Sequence, residues 1–290
     1  MRTISEDNKS TAKTLYIIGN GFDLAHNIKS SYADFKGWCN QRKIACQIDY
    51  LLSLNADWSN IEEALGSYHE DDIYRKIDPY EGVYKNENPF KVSAKIDDSV
   101  EFLFKDTIKF LKSAFSDWVK NIDIKNCAKK EKYPLSPDSF YLTFNYTETL
   151  EEKYKIPSNQ ICHIHGCRLE NDDEFVFGHN NKRDVFVRDE EMKFDWEVDA
   201  KKAIIELMNR FEKSYNQCCC TLKDFITGKH IENIVVYGHS LGKVDWPYFE
   251  RIIEITGDKV QWEVDCYNDS DRKSMQVFKS QFRLSNIKEK

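Results

Sequence analysis

Two short apolar runs limit what this chain can fold into more than any other feature. Residues 15–18 are Leu-Tyr-Ile-Ile and stop at Gly19, and residues 231–237 are mostly apolar and stop at Gly238. Runs this short, without strict alternation and closed by glycine, read as strands buried on both faces, as in a parallel sheet. Helical patterns separate them. Ser31-Tyr-Ala-Asp34 and Ser59-Asn-Ile-Glu62 have capping-box spacing, the first opening a helix to about residue 45. Behind Asp97 and Asp98, the residues Val100, Leu103, Phe104, Ile108, Leu111, Phe115, Trp118 and Ile122 recur at three- and four-residue steps, predicting a long helix with one apolar stripe. Between the second capping signal and this helix, residues 70–95 carry Pro79, Gly82 and Pro89 and read as loop.

The second half alternates more regularly. Residues 140–144, 161–165, 175–177 and 260–267 are strand-like. Residues 147–154, 201–226 (stripe Ile204, Leu207, Met208, Phe211, Tyr215), 245–255 and 270–282 are helix-like. The expectation is an α/β fold: a Rossmann-like, doubly wound, mainly parallel sheet in a single domain over 1–290, with a helical insertion at 45–130.

The net charge of −7 argues against a nucleic-acid coat or an anionic membrane partner. No apolar run approaches the ~18 residues of a spanning helix, and the start MRTISEDNKS has no signal-peptide core. Nine cysteines, three of them consecutive at 218–220, make no disulfide framework, so reduced thiols in a cytoplasm are expected.

In a parallel sheet, ligands bind beyond the carboxyl ends of the strands. The polar residues expected there are Gly19-Asn20-Gly21 with Asp23, then Asn145, His163, His165-Gly166, Gly178-His179, Gly238-His239-Ser240 and Asn268-Asp269. Counting His26, five of the seven histidines fall in or near this set, which points to a shared site.

Three chemistries compete for it. Gly238-His-Ser-Leu-Gly242 fits the G-x-S-x-G elbow of serine hydrolases, but no histidine follows His239 to serve as base, and three residues intervene before the next helix. His163 and His165, two apart on a strand, could face one metal ion with His179 or His239. No dense carboxylate pattern surrounds them, Cys162 and Cys167 lack closed-site spacing, and no metal is expected. A dehydrogenase fingerprint is missing, since Leu24 stands where the third glycine of G-x-G-x-x-G belongs, and no G-K-[ST] loop occurs. What remains is a short glycine turn whose amides could approach a pyrophosphate closely.

The segments LYIIGNGFDLAH…SSYADF, WSNIEEALG, TFNYTETLE, HIHG, FGHN and VYGHSLGKVDWPYF, in order over residues 14–270, resemble the AbiH family of bacterial phage abortive-infection proteins. That family in turn resembles the sirtuin-like NAD-binding group, several of whose defence members hydrolyse NAD. The resemblance implies a cofactor-binding set of Gly19, Asn20, Gly21, Phe22, Thr143, Gly166, His179, Gly238, His239, Ser240 and Asn268, the last on the adenine side. It implies a catalytic set of Asn145, His165 and Asp23, with NAD as ligand or substrate and nicotinamide as the released base. A phage-derived trigger or defence partner and a homo-oligomer are also implied. Two departures tell against lysine deacylation: Thr147 stands where an acid usually follows the asparagine, and the paired C-x-x-C zinc module is missing.

The residue chemistry suits that reading. Nicotinamide leaves as a cationic group, so the site has to stabilise an oxocarbenium-like ribose and hold a water. The Asn145 carbonyl can accept from that water while its amide donates to the ribose. The His165 imidazole can take a proton near neutral pH, and Asp23 can stabilise positive charge. Each has a structural alternative: Asn145 as a helix cap, Asp23 bracing its own loop, His165 tying two loops together.

Overall fold

The computed structural model describes residues 13–45, 49, 58–68, 106–169, 175–185 and 195–290. In chain order the elements begin with β1 (Lys13–Ile18), α1 (Asn20–Ala25), α2 (Tyr32–Gln41), α3 (Ile61–Gly66) and α4 (Asp106–Lys120). Next come β2 (Phe140–Thr143), α5 (Thr149–Tyr154), β3 (Ile161–His163), α6 (Asp195–Asn209) and α7 (Tyr215–Ile226). The chain continues through β4 (Ile231–Tyr237), α8 (Trp246–Thr256), β5 (Gln261–Asp265), α9 (Asp269–Phe282) and β6 (Ile287–Glu289).

The six strands form one sheet in the order β3-β2-β1-β4-β5-β6, and every neighbouring pair is parallel. This is the Rossmann-like strand order, whose direction of growth reverses between β1 and β4. Four consecutive residues of β1 (Leu15–Ile18) and of β4 (Ile234–Tyr237) are buried, so both faces of the sheet centre are covered. One face is tyrosine-rich, with Tyr16 stacked on Tyr141 at 5.1 Å and on Tyr237 at 6.0 Å. On the other, Phe249 of α8 and Phe278 of α9 close over Trp262 of β5. Both edge strands are only three residues long, which limits their exposed hydrogen-bonding edges.

The register levels the carboxyl ends of the strands. Ile18 is level with Thr143 and Tyr237, Thr143 with His163, and Tyr237 with Asp265. Five strands therefore end in one row, and the polar residues that follow them start from a common level.

The chain divides into two compact units. The first carries the sheet and joins the chain up to Ile28 with Ile124–Leu169 and Tyr215–Lys290. The second comprises Lys29–Asp123 and Glu170–Ser214. Its core is aromatic, with Phe35 5.4 Å from Trp58 and 5.1 Å from Trp118. The segment 45–130 drawn as an insertion falls mainly in this second unit. The loop at 70–95 and the first turns of the helix drawn from Asp97 lie outside the described residues.

Several local expectations are corrected. The Ser31–Asp34 capping box forms as drawn, but its helix stops at Gln41. Asn60, not Ser59, is the N-cap of α3, and Glu62 accepts from Gly178 N–H and pairs with the buried Lys213. Residues 175–177 form no strand. Phe177 is buried by stacking on Phe115 at 4.2 Å, so its apolar character reflects packing rather than pairing. The helix drawn over 201–226 is two, α6 and α7. The strand drawn to residue 165 ends at His163, and β6 carried too short an apolar signal to be anticipated. The eight cysteines among the described residues are free thiols, and no helix among them is long and apolar enough to cross a membrane.

The tightest approach lies at the reversal point. Gly21 N–H donates to Gly238 O at 2.8 Å, Gly238 has φ +64, and a Cβ there would lie 2.1 Å from Phe22 N. Gly238→Ala therefore combines a left-handed backbone with a steric clash, and a loss of about 3 kcal/mol or more is expected in urea denaturation. Gly37→Ala in α2, where a Cβ meets nothing within 4 Å, should instead gain about 0.5–1 kcal/mol.

Candidate functional site

The loops after β1, β2, β3 and β4 build two adjoining polar clusters in the sheet-bearing unit. The first centres on Asp23, which is 1% exposed. Its Oδ2 accepts from Thr147 Oγ1 at 2.5 Å, and the Thr147 and Thr149 hydroxyls lie 2.9 Å apart. Thus Thr147, standing where the resemblance expects an acid, holds a carboxylate from the first loop. Burial pushes the Asp23 pKa up to about 6, against the opposing effect of donors from Thr147, Thr149 and Asn145 and of the His163 charge.

Asn145 is 5% exposed and follows β2. Its backbone N–H donates to Thr143 Oγ1 at 3.1 Å. Its side-chain amide favours the ionised Asp23 carboxylate, whose Oδ1 has no hydrogen-bond partner among the described residues. Asn145 Oδ1 is left buried with no hydrogen-bond partner among the described residues. Asn145 does not cap α5, whose N-cap is Glu148.

His163 supports this cluster from beneath. Its Nδ1 lies 3.2 Å from Asn145 O and its Nε2 2.8 Å from Glu151 Oε1. Burial disfavours its protonation, but contacts with Cys167 and with the Glu151 carboxylate outweigh this and raise its pKa to about 10. Glu148 and Arg168 clamp the same two loops through bonds of 2.6 and 2.5 Å. Burial works against the Glu148 charge, yet the Arg168 guanidinium wins and holds its pKa below the usual range.

The second cluster centres on His165, also buried. Its ring is edge-on to Phe144 at 5.2 Å and stacked on Tyr146 at 6.2 Å. Consecutive residues of one extended loop thus diverge: Phe144 and Tyr146 face His165, while Asn145 between them faces Asp23. Asp245 lies 3.8 Å from His165 and 3.4 Å from His239.

The remaining sequence candidates have visible structural duties. Gly19 N–H and Gly21 N–H are spent on Tyr237 O and Gly238 O, so these two amides are committed to joining the β1 and β4 loops. Phe22 is fully buried beneath the rim against His26, Tyr133 and Tyr154. His26 bonds Phe22 O and the Tyr154 hydroxyl, which makes it a core histidine. Gly166, at φ +90, turns the chain between His165 and Cys167, with its N–H on His163 O. Asn268 spends its side chain on the capping box of α9.

His179 belongs to the second unit, where its ring bonds Met208 O and Asn181 N–H. His163 and His165 engage different partners, Glu151 and Asp245, and do not grip one point. Ser240 is exposed, and both nitrogens of neighbouring His239 face elsewhere, to Leu241 N–H and Asp245. Neither serves Ser240 as a base, which removes the support for a serine nucleophile.

Sequence reasoning passed over Thr147, Thr149, Glu151 and Arg168 as parts of the site. Their only signal was the density of polar residues in a stretch that the fold buries.

Fold and rim together define a Rossmann-like α/β protein with a buried polar site at the carboxyl ends of its strands. A family model described as bacteriophage abortive infection AbiH matches residues 15–266, and the chain belongs to that family of phage-defence proteins. Nothing among curated proteins or solved structures matches the chain.

The raised pKa of Asp23 has a definite sign. Between pH 3.8 and about 6 the folded chain holds a proton that the unfolded chain releases, so this group's contribution to stability falls as pH rises through that window. Asp23→Asn removes the penalty. Its stability relative to the parent should rise by about 2 kcal/mol between about pH 4.5 and pH 8 in urea denaturation. A difference independent of pH would refute a buried, reluctant carboxylate.

Proposed function

We propose that this phage-defence protein binds NAD across the rim beyond β1, β2, β3 and β4 and hydrolyses it to nicotinamide and ADP-ribose. One observation carries the reading: Asn145 Oδ1, an acceptor oxygen buried at the end of β2 with no partner among the described residues. A buried carbonyl without a donor costs about 1–3 kcal/mol, a cost that makes sense where a substrate hydroxyl or a water is to be bound. The level strand ends, the reversal of strand order between β1 and β4 and the sirtuin-like motif order in the sequence support the same reading.

The chemistry assigns roles to this chain's residues. The N-glycosidic bond breaks with its electron pair leaving on nicotinamide. Water adds to the ribose carbon, and its proton passes to the His165 imidazole. Asn145 orients that water or the ribose. Asp23, held by Thr147 and Thr149, sets the amide orientation of Asn145 and offers negative charge to the developing cation. His163 holds the Asn145 backbone in place. The expected setting is the cytoplasm, with activity released by a phage component or a defence partner and tuned by self-assembly.

Purified protein incubated with NAD tests this reading. Nicotinamide release should fall at least ~100-fold in Asn145→Ala and in His165→Ala, with both variants folded by circular dichroism. Saturable NAD binding without release would identify a sensor instead. Neither binding nor release, in the presence of infected-cell extract, would overturn the assignment of NAD.

A further inference from the structure

Asp245 stands at the N-cap of α8, where a carboxylate ordinarily accepts from a backbone amide of the first turn. Its side chain makes no such bond. It is turned toward two imidazoles, with Oδ1 3.8 Å from His165 Nε2 and Oδ2 3.4 Å from His239 Nε2. The carboxylate is 15% exposed and the two rings 5% and 4%, so water screens these charges weakly.

The two imidazoles are not equivalent. His239 Nδ1 accepts the Leu241 N–H at 2.9 Å. That nitrogen carries no proton, so the proton of the neutral ring sits on Nε2, facing Asp245. A second proton on Nδ1 would set one N–H against another. The opposing amide is held in place because Leu241 adopts φ +55 in the turn after Ser240. With Nδ1 engaged by the Leu241 N–H, His239 turns Nε2 to one oxygen of the carboxylate, and His165 is the ring beside the other.

We infer that Asp245 is a positioning residue: set between His239 and His165, its carboxylate stabilises the protonated form of His165 and equips that ring as the base of the site. The role of His165 as base rests on the NAD-hydrolysis reading, whereas the placing of Asp245 between the two rings stands on geometry alone. Other titratable groups facing His165 are the phenols of Tyr146, from the loop after β2, and Tyr248, from α8. Burial raises the pKa of Tyr248, which therefore adds no charge near neutral pH.

The experiment is a pH titration of the histidine ring nitrogens by NMR, on the full chain labelled with nitrogen-15. In the parent, the neutral form of His239 should carry its proton on Nε2, because Nδ1 accepts from Leu241 N–H. In Asp245→Asn, which keeps the shape and removes the charge, the His165 midpoint should fall by about one pH unit or more. An unchanged or higher midpoint overturns the inference. Should Asp245→Asn fail to fold, the parent spectra still decide: neutral His239 with its proton on Nδ1 overturns the arrangement.

Turnover supplies a separate readout. Asp245→Asn should lose about tenfold in kcat with little change in KM, and Asp245→Glu should recover part of it. A parent that releases no nicotinamide but gives the expected spectra refutes the NAD reading and leaves the arrangement intact.

Discussion

The structure hangs on the contact of two backbones where the sheet reverses its direction of growth. Gly19 and Gly21, after β1, bond across to Tyr237 and Gly238, after β4, and a Cβ at Gly19, Gly21 or Gly238 would meet main-chain atoms under 3 Å away. Glycine is demanded here by main-chain proximity. The two clusters of the site are both anchored at this joint. Asp23 lies two residues past Gly21, and His239 lies one residue past Gly238. Shifting either loop moves the acid of one cluster and the braced imidazole of the other. A Gly-x-Gly turn after a first strand is easily taken as a cradle for phosphate. In this chain the amides of Gly19 and Gly21 serve first to join two loops.

Around that joint the chain accepts unusual electrostatic costs. A carboxylate almost fully removed from water, a carbonyl oxygen without a donor among the described residues and a carboxylate that forgoes its helix cap all lie at one rim. Any one could be an accident of packing. Their concentration beyond level strand ends is the reason this rim is the candidate site. The supporting shell is better satisfied: Glu148 and Arg168 form a two-bond ion pair, and His163 is held between Glu151 and the Asn145 backbone. The firm parts surround the strained ones and hold them in position.

The second unit shows the same residue types put to structural use. Glu62, Gly178, His179, Asn181 and Lys213 tie α3 to the segment around residue 180 and to the chain beyond α6. The sequence segments WSNIEEALG and FGHN meet there through Gly178 N–H and Glu62 Oε1, 116 residues apart. A histidine following a glycine looks alike in both units. Only its neighbours distinguish a ring that braces a loop from one that faces a buried carboxylate.

Local chemistry was legible in the amino-acid sequence. The apolar runs closed by glycine or by polar residues, the capping box at Ser31 and the helical stripes gave five of the six strands, most of the described helices and the parallel α/β class. These are properties of neighbouring residues, set by backbone sterics and by a period of two or 3.6. Tertiary structure alone decided which polar side chains meet. Asp23 reaches Thr147, and Asp245 reaches His165 and His239, because strand order places β2, β1 and β4 side by side and register ends them level. Neither relation leaves a periodic trace. For the same reason His26 and His179, indistinguishable from site histidines by spacing, proved to be a core residue and a brace of the other unit. Sequence specifies what each segment can offer, whereas long-range pairing of strands determines what each offer meets.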